Sequence, residues 1–229
     1  MTEATIVELP VRDAYDRWAE SYDAYDNPMV FAAQRILERH RDHFARRDVV
    51  EFGCGTGRNL ALFAEAGASS IIGLDLSDGM LAQAAARGRD FRLLRHDLTS
   101  PVPLPDGSAD LAVFCLVLEH VEDPATPLSE ARRLLRRGGR IIVVEIHPDL
   151  ANAGIGAHFR DGDQEVRIPT VPHRFSDHLS AFARAGLTVD SCREWCPRDF
   201  GDALPAKLTK RGPDRPLTVE FLLSERPSV

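Results

Sequence analysis

The sequence predicts an α/β chain built on a seven-stranded, mostly parallel sheet with helices on both faces and an antiparallel last strand. Three observations carry this. Short apolar runs (DVVEF, SIIGLDL, FRLLRHD, DLAVFCLVL, GRIIVVEI) alternate with segments of helical periodicity, the pattern of a βαβ series. These runs lack polar alternation, which suits strands buried on both faces of a parallel sheet. Near the end, LTVDSCREW and LTVEFLLSE are joined by a long segment without a crossover-helix pattern, so that pair is expected to be antiparallel. At 229 residues and 44% hydrophobic, the chain reads as one domain: a helical cap over 1–47, a core over 48–146, an insert over 147–173 and the rest of the sheet over 174–229.

Each element has its own local signal. VRDAYDRWAESYDAY and PMVFAAQRILERHRDHFARR carry apolar residues at helical spacing, the second with Pro28 near its start, so two helices are expected before the first strand. TGRNLALFAEAG stops at Gly67, and SDGMLAQAAARG runs from Ser77 as N-cap to Gly88 as its terminating glycine. PLSEARRLLRRGG is read as a helix ending at Gly138 and Gly139, and RFSDHLSAFARAG as an amphipathic helix with His178 on its solvated side. In the insert, AHFR and QEVRIPT flank Asp161-Gly162, a turn pair that predicts a small hairpin over the end of the sheet.

Composition narrows the function classes. A net charge of −7 gives no general attraction to a polyanion, so no nucleic-acid partner is expected. No apolar run is long enough for a signal peptide or membrane span, so the expectation is a cytoplasmic protein without a membrane partner. Cys54, Cys115, Cys192 and Cys196 lack the spacing of a zinc site.

The most informative stretch is Glu51-Phe-Gly-Cys-Gly-Thr-Gly, placed after the first strand of the series, where an open α/β sheet binds its ligand. Counting from Gly53, the position of the third glycine in a dinucleotide fingerprint is Arg58, so the register is wrong for NAD. Glu51 would also repel a pyrophosphate while favouring a cationic ligand. Asp75 ends the next strand, at the offset where a carboxylate accepts both hydroxyls of an adenosine ribose. Asp97 ends the strand after that. Three consecutive strands closing in acidic or glycine-rich ligand sets are more specific than any one of them.

At these residues the chain resembles the class I S-adenosylmethionine-dependent methyltransferases, whose fold is Rossmann-like. VVEFGCGTG, IIGLDLSDGML, HDL and DLAVFCLVLEHVEDP are similar to the family's successive motifs, and YDRWAESYD to the N-terminal helix of its ubiquinone- and menaquinone-biosynthesis-like (type 11) group. The resemblance implies S-adenosyl-L-methionine as cofactor. Glu51, Gly53, Cys54 and Gly55 would lie by the methionine portion, Asp75 on the ribose, Leu76 and Met80 by the adenosine, Asp97 and Leu98 at the adenine, and Cys115 beneath. Tyr15 and Tyr22 would close over the methionine end. The acceptor is expected to be a small molecule, with O-methylation ahead of N- or C-methylation. An RNA or protein methyltransferase and a non-catalytic cofactor-binding subunit are the alternatives. Glu119-His120 resembles the Glu-His pair of a metal-assisted subgroup, but that subgroup's further Glu is Leu116 here, so no metal is expected. The insert brings His147, His158 and His173 toward the site as candidate bases, His173 first because Pro172 and the following helix restrain it.

Overall fold

The computed structural model describes residues 5–25, 27–88, 90–203, 205, 208 and 212–227. Its strands are β1 (Thr5–Glu8), β2 (Asp48–Phe52), β3 (Ser70–Asp75), β4 (Arg92–Arg95), β5 (Ala109–Cys115), β6 (Leu135–Ile146), β7 (His158–Asp161), β8 (Gln164–Arg167), β9 (Leu187–Trp195) and β10 (Thr218–Glu225). Between them run α1 (Val11–Tyr22), α2 (Pro28–Arg39), α3 (Arg41–Phe44), α4 (Arg58–Glu65), α5 (Asp78–Ala86), α6 (Ala125–Leu134), α7 (Pro148–Asn152) and α8 (Phe175–Arg184). A 3-10 turn at Leu118–His120 follows β5.

The main sheet has seven strands in the order β4-β3-β2-β5-β6-β10-β9, with β10 antiparallel to both its neighbours, as predicted. The chain moves outward from β2 to β4 and returns to β5 beside β2, so the strand order reverses between β2 and β5. A crevice opens there at the carboxyl ends. The continuous apolar runs bury both faces. Val50, Phe52, Phe114 and Phe221 pack with Leu128 of α6 and Phe182 of α8, while Val49, Val113, Ile142 and Val144 pack on the other face with Ile36 of α2 and Phe63 of α4. Each fully buried Phe or Leu contributes about 1.5–3 kcal/mol of transfer free energy, which fixes the strand register and hence the crevice.

The local signals act as read. Asn27 caps α2 by accepting from Met29 N at 3.0 Å with Pro28 in the first turn, and Ser77 Oγ caps α5 by accepting from Met80 N at 3.0 Å.

Four expectations need correction. The second predicted helix is two, α2 and α3, divided at His40, whose φ −94° and ψ 13° leave the helical path. A strand, β1, precedes the helices and pairs in parallel with β8, making a second sheet of order β1-β8-β7. Its four residues are mostly exposed and its partner lies far along the chain, so no local pattern announces it. The helix α6 stops at Leu134, not at the glycines. Leu135 already pairs with Ala109, and Arg136 bridges Asp48 at 2.7 Å and Asp110 at 3.1 Å, interactions that hold this arginine on the strand side. His178 is on α8 but is 3% exposed and stacked on Phe182, and burial lowers its pKa to about 4.

The predicted hairpin is β7-β8, turning at Gly162 with φ 58°. Its Phe159 stacks on Trp18 of α1 with centroids 4.7 Å apart, and Val166 and Ile168 join the same cluster. This small sheet therefore lies on α1.

Candidate functional site

The turn after β2 is held by its backbone. Gly53 N and Cys54 N both donate to Leu74 O, at 2.8 and 2.9 Å. Gly53 has φ 76°, and a Cβ there would sit 2.3 Å from Val117 Cγ2, so only glycine fits between β2 and the turn after β5. Gly55 differs: with φ 52° its missing side chain leaves open space on the crevice. Asp75 ties this turn to the next, its Oδ2 accepting from Gly55 N at 2.7 Å and its Oδ1 from Ser77 N at 2.9 Å. Burial raises its pKa despite these bonds.

These turns line a cavity of ≈ 310 Å³. Gly53, Cys54, Gly55, Asp75, Leu76, Met80, Asp97, Leu98 and Cys115 all reach it, as do Tyr15 and Tyr22 from α1. The crevice thus gathers the sequence-predicted binding set, with one exception. Glu51 stands behind the wall, 1% exposed, its Oε1 accepting from the lining residue Asn59 at 2.7 Å. Its Oε2 is buried without a partner, and burial pushes the carboxyl pKa up to about 8. Asp97 is exposed and accepts from Thr99 N at 2.9 Å, which shapes the turn at that end.

The helix α1 roofs this cavity and is latched to both turns by two acids. Asp16 Oδ1 accepts from Ser77 Oγ at 2.6 Å and Gly79 N at 2.9 Å, and Asp23 accepts from Thr56 Oγ1 and Arg58 Nη2, each at 2.8 Å. Their hydrogen-bond donors hold both carboxyls below the usual range despite an opposing desolvation effect. Neither acid was singled out from the sequence, where each reads as the polar side of an amphipathic helix.

A third latch is a chain of hydrogen bonds. Pro169 O can only accept, so His120 Nδ1 donates to it at 3.0 Å. The other ring nitrogen, Nε2, therefore accepts from the Tyr15 hydroxyl at 2.9 Å. Burial lowers the His120 pKa and raises that of Tyr15 well above its ordinary value, which favours the neutral form of both. His120 lines the cavity, although the sequence singled it out only beside Glu119 in the comparison with a metal-assisted pair.

The turn carrying His120 has its own support. Leu116 has φ 55°, a conformation that costs a non-glycine residue on the order of 1–2 kcal/mol. The kink directs Val117 N and Leu118 N at Glu145 Oε1, at 3.1 and 3.0 Å. Glu145 is 3% exposed, and its burial pushes the pKa up to about 7.

A second cavity of ≈ 280 Å³ adjoins the first, sharing Tyr15, Tyr22, Val30 and Leu116 with it. Its other walls include Trp18, Met29, Ile146 and Ile155, with His158 from the hairpin. The three candidate histidines separate here. His158 is exposed and borders this cavity, its Nδ1 donating to Gly156 O at 3.0 Å. His173, the first-ranked base, borders neither cavity: it is 8% exposed and its Nε2 donates to Val121 O at 2.9 Å and Leu118 O at 3.2 Å. Pro172 and α8 do restrain it, but they aim it at the turn's carbonyls. His147 also borders neither cavity. Its Nδ1 caps α7 by accepting from Asp149 N at 3.2 Å and its Nε2 meets Glu194 Oε1 at 2.8 Å.

A seven-stranded sheet of this order, with a glycine-rich turn after β2 and an acid closing β3, defines a class I S-adenosylmethionine-dependent methyltransferase fold, and the chain belongs to that superfamily. The methyltransferase domain family matches residues 50–143. A protein of Mycolicibacterium smegmatis named a probable S-adenosylmethionine-dependent methyltransferase is 39% identical over 195 residues, covering 82% of this chain and 73% of that one. The demethylmenaquinone methyltransferase of Symbiobacterium thermophilum is 32% identical over 151 residues, 60% of this chain and 59% of that one. An uncharacterized 37.1 kDa protein of Streptomyces fradiae is 42% identical over 100 residues, of which the chain spans 29% of the length. The crystal structure of an S-adenosylmethionine-dependent methyltransferase from Mesorhizobium loti superposes with TM-score 0.70 at 26% identity, over 85% of this chain and 99% of that one.

Proposed function

We infer that this chain methylates a small, largely apolar acceptor, holding S-adenosylmethionine in the cavity between the β2 and β3 turns and the acceptor in the adjoining one. The observation that carries this is the pair of cavities meeting at Tyr15, Tyr22, Val30 and Leu116, the first bordered by the β2 and β3 turns with Asp75 and Asp97, the second by α1, the start of α2 and the hairpin's His158. The residues present fit the cofactor. The open face of Gly55 leaves room for a close approach, the unpartnered Oε2 of Glu51 stands behind the wall where a nearby cationic group would favour its ionised form, and Asp75, held by Gly55 N and Ser77 N at the end of β3, would receive the ribose. S-adenosylmethionine supplies an electrophilic methyl group on a positively charged sulfur.

The protein's part is alignment, exclusion of water and proton transfer. Tyr15 and Tyr22 roof the junction between the cavities, and the Asp16 and Asp23 latches hold that roof down. For an acceptor hydroxyl, Tyr15 is the proton relay: its own proton is already directed at His120 Nε2, so a proton received at Tyr15 Oη passes on to the imidazole. His158, at the rim of the acceptor cavity, is the candidate of the three insert histidines best sited for a proton. O-methylation is the first reading. Ring-carbon methylation is the second, favoured by similarity to demethylmenaquinone methyltransferases and to the N-terminal helix of their group. The test is calorimetry with S-adenosylhomocysteine and with NAD, followed by transfer of a labelled methyl from S-adenosylmethionine to a panel of phenols, quinols and amines. Mass spectrometry of the product locates the methyl on oxygen, nitrogen or carbon. Nicotinamide binding without S-adenosylhomocysteine binding would refute the reading.

A further inference from the structure

Glu119 is unexplained by the methyl-transfer machinery. It sits in the 3-10 turn after β5, is 8% exposed and lines the second cavity. Its Oε2 is buried without a hydrogen-bond partner, while its Oε1 is 3.9 Å from His120 Nε2, beyond hydrogen-bond reach. A buried carboxyl oxygen left without a donor costs about 1–3 kcal/mol or more, so native structures rarely keep one without a reason.

Several of the other polar atoms of that cavity already have partners. Asn27 Oδ1 caps α2, His158 Nδ1 donates to Gly156 O, and Tyr15 Oη donates to His120. Trp18 Nε1 is also buried without a partner but can only donate, and walls such as Met29, Ile146 and Ile155 offer only apolar contact to a guest. Leu116, which lines the same cavity, supplies no oxygen that would help Glu119 hold a cation.

On the reading of this cavity as the acceptor site, we propose that Glu119 is the specificity-determining residue of the acceptor, accepting a hydrogen bond from a hydroxyl or amino group on an otherwise apolar ring. A directional contact among largely apolar walls fixes how such a ring lies, and a site built around a buried polar group rejects the analogue that lacks the donor. Burial and the nearby Glu145 raise the Glu119 pKa to about 8, so the test below is run above that pH, where the ionised carboxyl can only accept.

The experiment uses four ring probes of similar shape, namely 1-naphthol, 1-naphthylamine, 1-methoxynaphthalene and naphthalene. They are titrated by NMR into the full chain, with and without S-adenosylhomocysteine, in the wild type, Glu119→Gln and Glu119→Leu. We expect the wild type to bind 1-naphthol or 1-naphthylamine at least about tenfold tighter than the two probes without a donor. Glu119→Leu should lose that preference while binding naphthalene within about threefold of the wild type, and Glu119→Gln, whose amide oxygen still accepts, should keep part of the preference for 1-naphthol. A hydroxyl-only or amine-only preference tells the two donor types apart. The proposal is overturned if no probe binds the wild type, if the wild type shows no preference, or if the Leu variant retains it. Should the Leu variant not fold, a Gln variant with unchanged preference for both donor probes overturns it. S-adenosylhomocysteine binding in the same samples keeps the two readings separate: normal binding with no donor preference sinks the Glu119 assignment alone, and no binding to the wild type sinks the methyltransferase reading.

Discussion

Replacing Glu51 by Gln tests the least expected electrostatic feature of the crevice. The carboxyl is 1% exposed, has one partner in Asn59 Nδ2 at 2.7 Å, and leaves Oε2 unpaired. Burial first, with a smaller contribution from Asp75, raises its pKa from 4.5 to about 8. The folded state therefore binds a proton that the unfolded chain releases between these values. Stability from this group is complete below pH 4.5 and is lost as the pH rises to about 8, with a slope of at most about 1.4 kcal/mol per pH unit. The full window is an upper bound of about 5 kcal/mol, and structural relaxation and water entry reduce it. Gln imitates the protonated form at every pH, so Glu51→Gln should gain stability over the wild type as the pH is raised from 5 to 8, by at least about 1 kcal/mol. Ligand binding should move the opposite way. If a cationic group of the cofactor pairs with the carboxylate, S-adenosylhomocysteine should bind the variant more weakly at pH 8, by about 1.5–3 kcal/mol. Urea unfolding from pH 5 to 9, with calorimetry at both ends, reads the two effects separately. Parallel stability profiles would refute the buried-carboxyl argument, and equal affinity at pH 8 would remove Glu51 from the cofactor's charge.

Other substitutions probe the remaining supports. Gly53→Ala combines a left-handed backbone with a Cβ 2.3 Å from Val117 Cγ2 and should cost about 2–4 kcal/mol in urea unfolding, part of it recovered in Gly53→Ala/Val117→Ala; full additivity would show that the clash is not the cause. Asp75→Asn turns an amide NH2 toward one of two backbone N–H donors that now meet oxygen at 2.7 and 2.9 Å, so melting temperature should fall and S-adenosylhomocysteine affinity should drop by about 1–3 kcal/mol, as calorimetry would show. Tyr15→Phe strips His120 Nε2 of its donor while keeping the ring stack on Trp18, and is expected to slow methyl transfer to hydroxyl acceptors by about a hundredfold or more with cofactor affinity held within about threefold. His173→Ala should act differently, lowering the melting temperature through lost bonds to Leu118 and Val121; a variant that melts normally yet has lost turnover would return the base assignment to His173.

The parts of this molecule that could be read from sequence are those decided by neighbours in the chain. Pro28, Ser77 and Asp161-Gly162 each mark a helix start or turn within a few residues, and the apolar runs bury themselves on both faces whatever lies beyond. The crevice was legible for a related reason: Gly53, Gly55 and Asp75 stand at strand ends, and strand ends in a parallel sheet converge. What escaped depends on partners far along the chain, 47 residues away for His147, 52 for His173 and 105 for His120, or on which side of a helix faces inward. His173 and His147 have the chemistry of a base, but their rings are committed to Val121 O and Glu194. His120 has the same chemistry, and only the arrival of Tyr15 from α1 gives it a proton to share. Periodicity places His178 on a helix, and the sheet's Phe221, 5.7 Å away between ring centroids, decides that it is dry.

The pairing of β1 with β8 has a consequence for how this protein is made. During synthesis residues 5–8 leave the ribosome long before residues 164–167 exist, so the first strand to emerge must wait for one of the later segments before it has a ladder to join. The strands β2 to β6 can assemble meanwhile from contacts closer in sequence, and the clasp over α1 closes afterwards across a long loop. Two four-residue strands on β8 are a small cooperative unit, and amide hydrogens there should exchange before those of β2, β5 and β6. The order of birth thus leaves the entrance as the segment that opens most easily, while the acids and glycines beneath it rest on the part that opens last.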